Sequence, residues 1–183
     1  DMTRGFSFNS DELLDMRMDR SQKLTAYEII NAFPEEKLKE IFFEYGEESF
    51  SRQIAEEISN YRLKGTIKTC SQLKDIISRV KRPKGKIDPS TKVFQALRIY
   101  VNDELGSLRQ MLNSIPEILS KGSRAAILTY HSLEDRIVKQ SFKSFHCQGL
   151  KVVNKKVIIA NPDEIKTNPR SRSAKLRVIE KTI

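Results

Sequence analysis

The spacing of apolar residues changes character twice along the chain. Over the first 23 residues Gly5, Asn9, Ser10 and Asp11 interrupt any period, and Phe6 and Phe8 alternate only briefly. The phenylalanines, leucines and methionines in this stretch favour burial, so it reads as a loop laid over a core and not as a free tail. From Thr25 to Val80 the period is helical. Thr25 with Glu28 forms a capping box ahead of Ile29 and Ile30, and Thr69 with Gln72 forms another ahead of Leu73, Ile76, Ile77 and Val80. Pro34 suits the first turn of a helix whose Leu38, Ile41, Phe42 and Tyr45 share one stripe, with Gly46 expected to stop it. Phe50, Ile54 and Ile58 make a further stripe. Lys81 to Lys86 then interrupts the helices, because Pro83 and Gly85 resist helix and four cations in six residues favour solvent. Ser90 is expected to cap a long helix with Phe94, Leu97, Val101, Leu105, Leu108 and Leu112 on one face. Ser114, Pro116 and Glu117 announce a fresh short helix that Lys121-Gly122 ends.

After Gly122 the pattern changes again. Ala125 to Tyr130 is a short apolar run of the kind found in buried parallel strands. Ser132 is placed to cap a helix with Leu133, Ile137, Val138 and Phe142 on one face. Leu150 to Ile159 is rich in valine and isoleucine, and Ala174 to Lys181 alternates, with Leu176 and Val178 opposite Lys175 and Arg177. The fold class is therefore α/β, a strand–helix–strand–loop–strand ending attached to a helical beginning.

Composition narrows the function classes. With 38% apolar residues the 183-residue chain can bury a core, and no apolar run approaches the roughly 20 residues of a membrane span. DMTRGFSF lacks the basic-then-apolar pattern of a secretory leader. Cys70 and Cys147, far apart, suit free thiols in a reducing cytoplasm, and together with His131 and His146 they lack metal-ligand spacing, so no metal is expected. The net charge of +9 is uneven: residues 11–57 hold 13 acidic against 6 basic side chains, a net of −7, which leaves +16 for the rest. That excess favours a polyanionic partner. Nothing around the seven glycines resembles a phosphate cradle or dinucleotide fingerprint.

Four stretches could carry chemistry. His131 to Arg136 lies where a strand meets a helix start, a place that favours ligands and anions. There Glu134 and Asp135 read as helix-dipole partners, whereas capping gives no reason for a histidine. Asn168 to Arg177 clusters Arg170, Arg172, Lys175 and Arg177, and arginine forks bind phosphate. Lys81, Arg82 and Lys84 would add salt-sensitive, sequence-independent affinity. In Leu14 to Asp19, Asp15 and Arg17 would share one side of an extended segment, with Met16 and Met18 on the other.

Six local sequences, in order, bear a resemblance: RGFSF from Arg4, LDMRMD from Leu14, YGEE from Tyr45, FQALRIYVNDEL from Phe94, YHSLEDRIVK from Tyr130 and NPRSRSAKLRV from Asn168. Together they resemble the bacterial 16S ribosomal RNA (cytosine-N4)-methyltransferase family, RsmH or MraW. Tyr130 stands where phenylalanine is common in that family, and residues 144–163 carry no family signature. The resemblance implies the C-terminal part of a class I, Rossmann-like, S-adenosylmethionine-dependent methyltransferase with a helical insertion domain. On that reading residues 1–24 are the loop after the fourth strand, 25–87 the insertion, and 88–183 the C-terminal part of the methyltransferase domain. The last three predicted strands would form one edge of a seven-stranded sheet.

The resemblance also implies methyl transfer to N4 of a cytidine in 16S rRNA, which needs the amine lone pair aligned with the methyl sulfonium. The family's cofactor-binding and main catalytic motifs are expected upstream of Asp1, so the catalytic residues stay unassigned and this chain alone is expected to be inactive. Arg4, Phe6, Asp15, Arg17, His131 and Ser132 are expected to line the target-base cleft. Asn168, Arg170 and Arg172, with Lys81, Arg82 and Lys84, are expected to bind RNA. The expected partners are 16S rRNA and the small ribosomal subunit, with a second copy of the chain as a candidate, no membrane, and a cytoplasmic location. A non-catalytic RNA-binding or ribosome-assembly module, and a helical protein-interaction module, are the competing classes.

Overall fold

The computed structural model describes residues 4–83 and 88–183. The chain forms two compact units, Asp1–Glu104 and Leu105–Ile183. The division falls after Glu104 because the helix after the basic loop packs within the first unit.

The first unit is helical. Its elements are α1 (Ala26–Ala32), α2 (Glu35–Gly46), α3 (Ser51–Arg62), α4 (Cys70–Val80) and α5 (Thr91–Val101). Both expected capping boxes form: Thr25 and Glu28 start α1, and Thr69 and Gln72 start α4. Leu38, Ile41, Phe42, Ile54, Ile58, Leu73, Ile76, Ile77, Phe94 and Leu97 meet in one buried cluster, with Phe6 and Phe8 packed against it.

Two helix ends depart from expectation. Gly46 is the last residue of α2, but the left-handed cap is Glu47, at φ 49°. Gly46 is required by proximity: a Cβ there would stand 2.6 Å from the carbonyl oxygen of Lys92 on α5. Ser90 makes no side-chain capping bond to α5; the Asp88 carboxylate accepts its N–H at 2.9 Å instead. The expected long helix from Ser90 to Leu112 is two helices. Asp103, at φ 44°, breaks it, and α6 runs from Glu104 to Ile118 with Pro116 inside, where a separate helix was expected.

Asn102 is the physical reason for that break. Its Nδ2 donates to the carbonyls of Met16 and Arg98, each at 2.8 Å, and its Oδ1 accepts the Met18 N–H at 2.7 Å. The helix end thereby grips the N-terminal strap, residues 4–22. Further backbone bonds fasten the strap: Met16 to Arg4, Leu14 to Lys68, Tyr27 to Leu14 and Cys70 to Glu12. Gly5 is confined as well. Its φ is +70°, and a Cβ would collide with the Leu13 carbonyl oxygen. The strap is the loop laid over a core that its apolar residues called for, but it is not extended. Met16 takes φ 60°, which sends its side chain into the core (1% exposed) while Met18 stays 55% exposed, so the two methionines do not share one side of the segment.

The second unit holds β1 (Arg124–Thr129), α7 (Ser132–Ser144), β2 (Leu150–Val152), β3 (Ile158–Ile159), α8 (Pro162–Thr167) and β4 (Lys175–Lys181). Single 3-10 turns lie at Phe145–Gln148 and Pro169–Ser173. The sheet order is β1-β4-β2, with β3 also on β4, and all pairs are antiparallel. β1 is thus neither parallel nor fully buried: it runs against β4 with Arg124 opposite Glu180, and Leu128 is 50% exposed. The expected strand from Leu150 to Ile159 is split because the Asn154 side chain replaces the ladder. Its Oδ1 accepts the Val178 N–H at 2.7 Å and its Nδ2 donates to the Leu176 carbonyl at 3.1 Å. Leu133, Ile137, Val138 and Phe142 of α7 are buried, as are Phe145, Leu150 and Ile179. No described helix is long and apolar enough to cross a membrane.

Asn102→Ala leaves the Met16 carbonyl and the Met18 N–H without these partners and is expected to cost about 2–3 kcal/mol, read as a fall in the urea midpoint. The two thiols should also differ. Burial pushes the Cys70 thiol up to about 11, and its Sγ donates to the Gly5 carbonyl, whereas Cys147 is exposed. Thiol titration at neutral pH should therefore modify Cys147 at once and Cys70 only on unfolding.

Candidate functional site

The left-handed turn at Met16 aims Asp15 and Arg17 outward together. Asp15 holds the Arg17 guanidinium bidentately, Oδ1 to Nε at 2.7 Å and Oδ2 to Nη2 at 3.0 Å. Arg17 Nη1 donates to the carbonyls of Gln22 at 2.6 Å and Arg20 at 3.1 Å. The hydrogen bond from Arg17 holds the Asp15 carboxyl below the usual carboxylate range, outweighing the upward push of partial burial. The pair lines a cleft of about 410 Å³ with Leu13, Leu14, Thr25, Tyr27 and Lys68.

Tyr27 and Lys68 were not among the expected site residues. Tyr27 sits on an exposed helical position and Lys68 in a connection. Arg4 places its guanidinium 5.4 Å from the centre of the Phe6 ring and donates from Nη1 to the Met18 carbonyl at 3.2 Å. Phe6 lines a second cavity of about 180 Å³ with Phe8, Met16, Thr91, Phe94, Gln95 and Arg98. Arg98 is already committed to Glu104, through Nε at 2.7 Å and Nη2 at 3.0 Å. Within the first unit, then, the expected target-base residues form two local pairs, Asp15 with Arg17 and Arg4 with Phe6.

In the second unit the histidine has the capping role expected of Ser132. His131 is the N-cap of α7: its Nδ1 accepts the Glu134 N–H at 3.4 Å, and Glu134 Oε2 accepts the N–H groups of Tyr130 at 2.8 Å and His131 at 3.3 Å. With Nδ1 accepting, the neutral ring carries its proton on Nε2. That Nε2 lies 3.3 Å from Glu134 Oε1, within ion-pair distance but not aligned as a hydrogen bond. Burial pushes the Glu134 carboxyl up, but His131 and the Tyr130 N–H pull harder, and the net shift is downward. Ser132 is exposed at the first helical position.

Asp135 also has a job beyond the helix dipole. It receives Arg177 Nε at 2.7 Å and Lys175 Nζ at 3.6 Å, tying α7 to β4. Burial acts upward on its carboxyl and the two cations act downward more strongly. Lys175 and Arg177 therefore do not stand free beside Arg170 and Arg172. Those two arginines and Asn168 are exposed on and beside the Pro169–Ser173 turn, which is anchored by buried Ser171 through a 2.8 Å bond to the Asn168 carbonyl.

The basic loop divides similarly. Lys81 is drawn inward by Glu48, a fully buried carboxylate, at 2.6 Å, because an unpaired charge there would be costly. Lys81 thus serves the core of the first unit and is not a displayed RNA contact. Arg82 is exposed, and Lys84 lies outside the described residues.

A helical unit, a small sheet backed by α7, and a basic surface place the molecule in the mixed helix-and-sheet class expected of an α/β methyltransferase. The chain belongs to the MraW methylase family, whose model matches residues 1–182. It is similar to the ribosomal RNA small subunit methyltransferase H of Endomicrobium trichonymphae, 52% identical over 100% of this chain and 62% of the relative. The same-named protein of Neorickettsia sennetsu is 51% identical over 97% of this chain and 60% of the relative, and that of Nostoc punctiforme 51% over 98% and 60%. The chain thus spans about three fifths of the length of these relatives.

Because the Asp15 carboxyl is lowered on folding, its stabilising contribution is full above the ordinary carboxylate value of about 3.9 and fades as pH falls through the lowered one. Asp15→Asn should lower the urea midpoint at pH 7, with the gap closing in acid. A gap that is unchanged at acid pH would contradict this assignment.

Proposed function

We propose that the whole protein is an S-adenosylmethionine-dependent methyltransferase that modifies N4 of a cytidine in 16S rRNA, on the RNA or the small ribosomal subunit. The observation that carries this reading is the family match across residues 1–182, with relatives named as ribosomal RNA small subunit methyltransferases. In this reading the fold of the whole protein is class I and Rossmann-like, residues 25–87 are its helical insertion and 88–183 its C-terminal part. The exposed Arg170 and Arg172, with Asn168 and Arg82, supply phosphate contacts that position the RNA. Arg4, Phe6, Asp15 and Arg17 in the first unit and His131 and Ser132 in the second contribute to target-base recognition. Locked side chains suit this chemistry, which needs an amine lone pair held in line more than it needs proton transfer.

The residues of the 410 Å³ cleft do not fit the cofactor. Its one carboxylate, Asp15, is spent on Arg17, so none is left for a ribose diol, and no glycine among the described residues lines it to cradle the methionine end. In this reading the adenosylmethionine seat belongs to the part of the whole protein that corresponds to the unmatched length of the relatives. This chain by itself then binds RNA without catalysing transfer.

Incubating the whole protein with methyl-labelled adenosylmethionine and 16S rRNA or small subunits should yield N4-methylcytidine by nucleoside mass spectrometry, and the 183-residue chain alone should yield none. Arg170→Gln with Arg172→Gln should raise KM several-fold at little change in kcat. Label on any other atom, or activity of the 183-residue chain, would overturn the reading.

A further inference from the structure

A recess of about 220 Å³ in the second unit is lined by Lys139, Phe142, Lys143, Val152, Lys155 and Arg177. Four of these six residues are cationic, and no acidic side chain lines the recess. Lys139 and Lys143 stand one turn apart on the exposed side of α7, a like-charge spacing that weakens a helix unless an anion sits between them. Lys155 reaches the same recess from the segment between β2 and β3, which leaves the ladder because Asn154 takes over its bonding. Arg177, 12% exposed, is set from behind: Asp135 takes its Nε and one Nη2 bond, which fixes the plane of the guanidinium. The Lys139, Lys143 and Lys155 side chains are exposed and are not engaged by any acidic group among the described residues. Counting Asp135 and the neighbouring Lys175, five cations face one carboxylate.

We propose that this recess is a second phosphate-binding subsite for RNA, separate from the Asn168–Arg172 turn and holding the backbone of a single strand. The choice of RNA as the polyanion rests on the function proposed above. The chemistry of the recess selects phosphate over base. Phe142 is only 1% exposed, so its ring offers no face for stacking, and the floor it forms with Val152 is apolar. A recess of this size is also below the range that encloses a whole nucleotide-sized ligand, and suits a backbone passing over it. Such a contact positions RNA without reading sequence.

The test is fluorescence anisotropy of a 5′-labelled oligouridylate with the whole protein across a potassium chloride series. It compares the native protein with the triple variant Lys139→Gln, Lys143→Gln, Lys155→Gln, and with a control carrying Lys37→Gln, Lys39→Gln and Lys166→Gln, whose lysines pair with Glu40, Glu36 and Asp163. Losing three phosphate contacts should flatten the slope of log K against log salt by about 2 and weaken binding at least tenfold at low salt, with the control unchanged. A labelled polyglutamate of equal length should bind far less tightly than the oligouridylate. Native-like binding and slope in the triple variant, no binding of oligouridylate to the native protein, or polyglutamate binding as tight as RNA and lost with the same lysines would each overturn the proposal. Equal urea midpoints for the native protein and the triple variant separate a lost contact from a lost fold. The methylation assay separates the two proposals: rRNA methylation with oligouridylate binding indifferent to these lysines sinks the subsite alone, while lysine-dependent binding without methylation sinks the enzyme reading alone.

Discussion

One side-chain amide sets the geometry of the first unit. Asn102 ends α5 by turning its donors and acceptor onto residues 16 and 18, eighty-odd positions earlier in the chain. The part-buried carbonyl of Met16 would otherwise lack a partner, and an unmade bond there costs more than a made one returns. Once the amide is committed there, α5 cannot run on into α6. The strap is held with Met16 left-handed, and Asp15 and Arg17 are turned toward the cleft. The strained φ of Met16 persists because the surrounding bonds over-determine it.

Charges in the interior are likewise held by polar partners from elsewhere in the chain. Glu48 is fully buried and accepts both Lys81 Nζ and the Phe50 N–H. Arg62 donates to the Phe33 and Ile29 carbonyls at the end of α1, and burial lowers its guanidinium from the ordinary value. Asp135 is met by Arg177 and Lys175. These pairs sort the cations of a strongly basic chain. Those with a buried partner hold the fold, and those left at the surface, among them Arg170, Arg172, Lys139 and Lys143, carry the excess positive charge to solvent.

Several of the family motifs resolve into structural parts. In YGEE, Tyr45 meets Tyr100 edge-on at 5.5 Å, Gly46 admits α5, Glu47 supplies the left-handed cap, and Glu48 anchors Lys81. In FQALRIYVNDEL, Arg98 and Glu104 bracket the helix break that Asn102 and Asp103 make. Motif residues of this kind preserve a scaffold, which is why the family can be recognised from them while the roles of individual residues cannot be taken from the match alone.

Local chemistry was readable from the chain wherever its partners are close in sequence. The capping boxes at Thr25 and Thr69 and the apolar stripes of α2 and α4 depend on contacts within a turn or on one repeating face, and each formed as its spacing implied. What depended on distant partners was not readable. The helix break at Asn102 needs Met16 and Met18, the inward pull on Lys81 needs Glu48, the split after β2 needs Val178 and Leu176, and the antiparallel course of β1 needs β4. The capping role of His131 shows the boundary from the other side: Glu134 was readable as an acid at a helix start, but a histidine ring nitrogen serving as the capping acceptor was not. Spacing along a chain encodes which groups need a partner. Only the tertiary structure decides which partner arrives, because the free energy of a buried polar group or a close backbone approach depends on what lies across the fold from it.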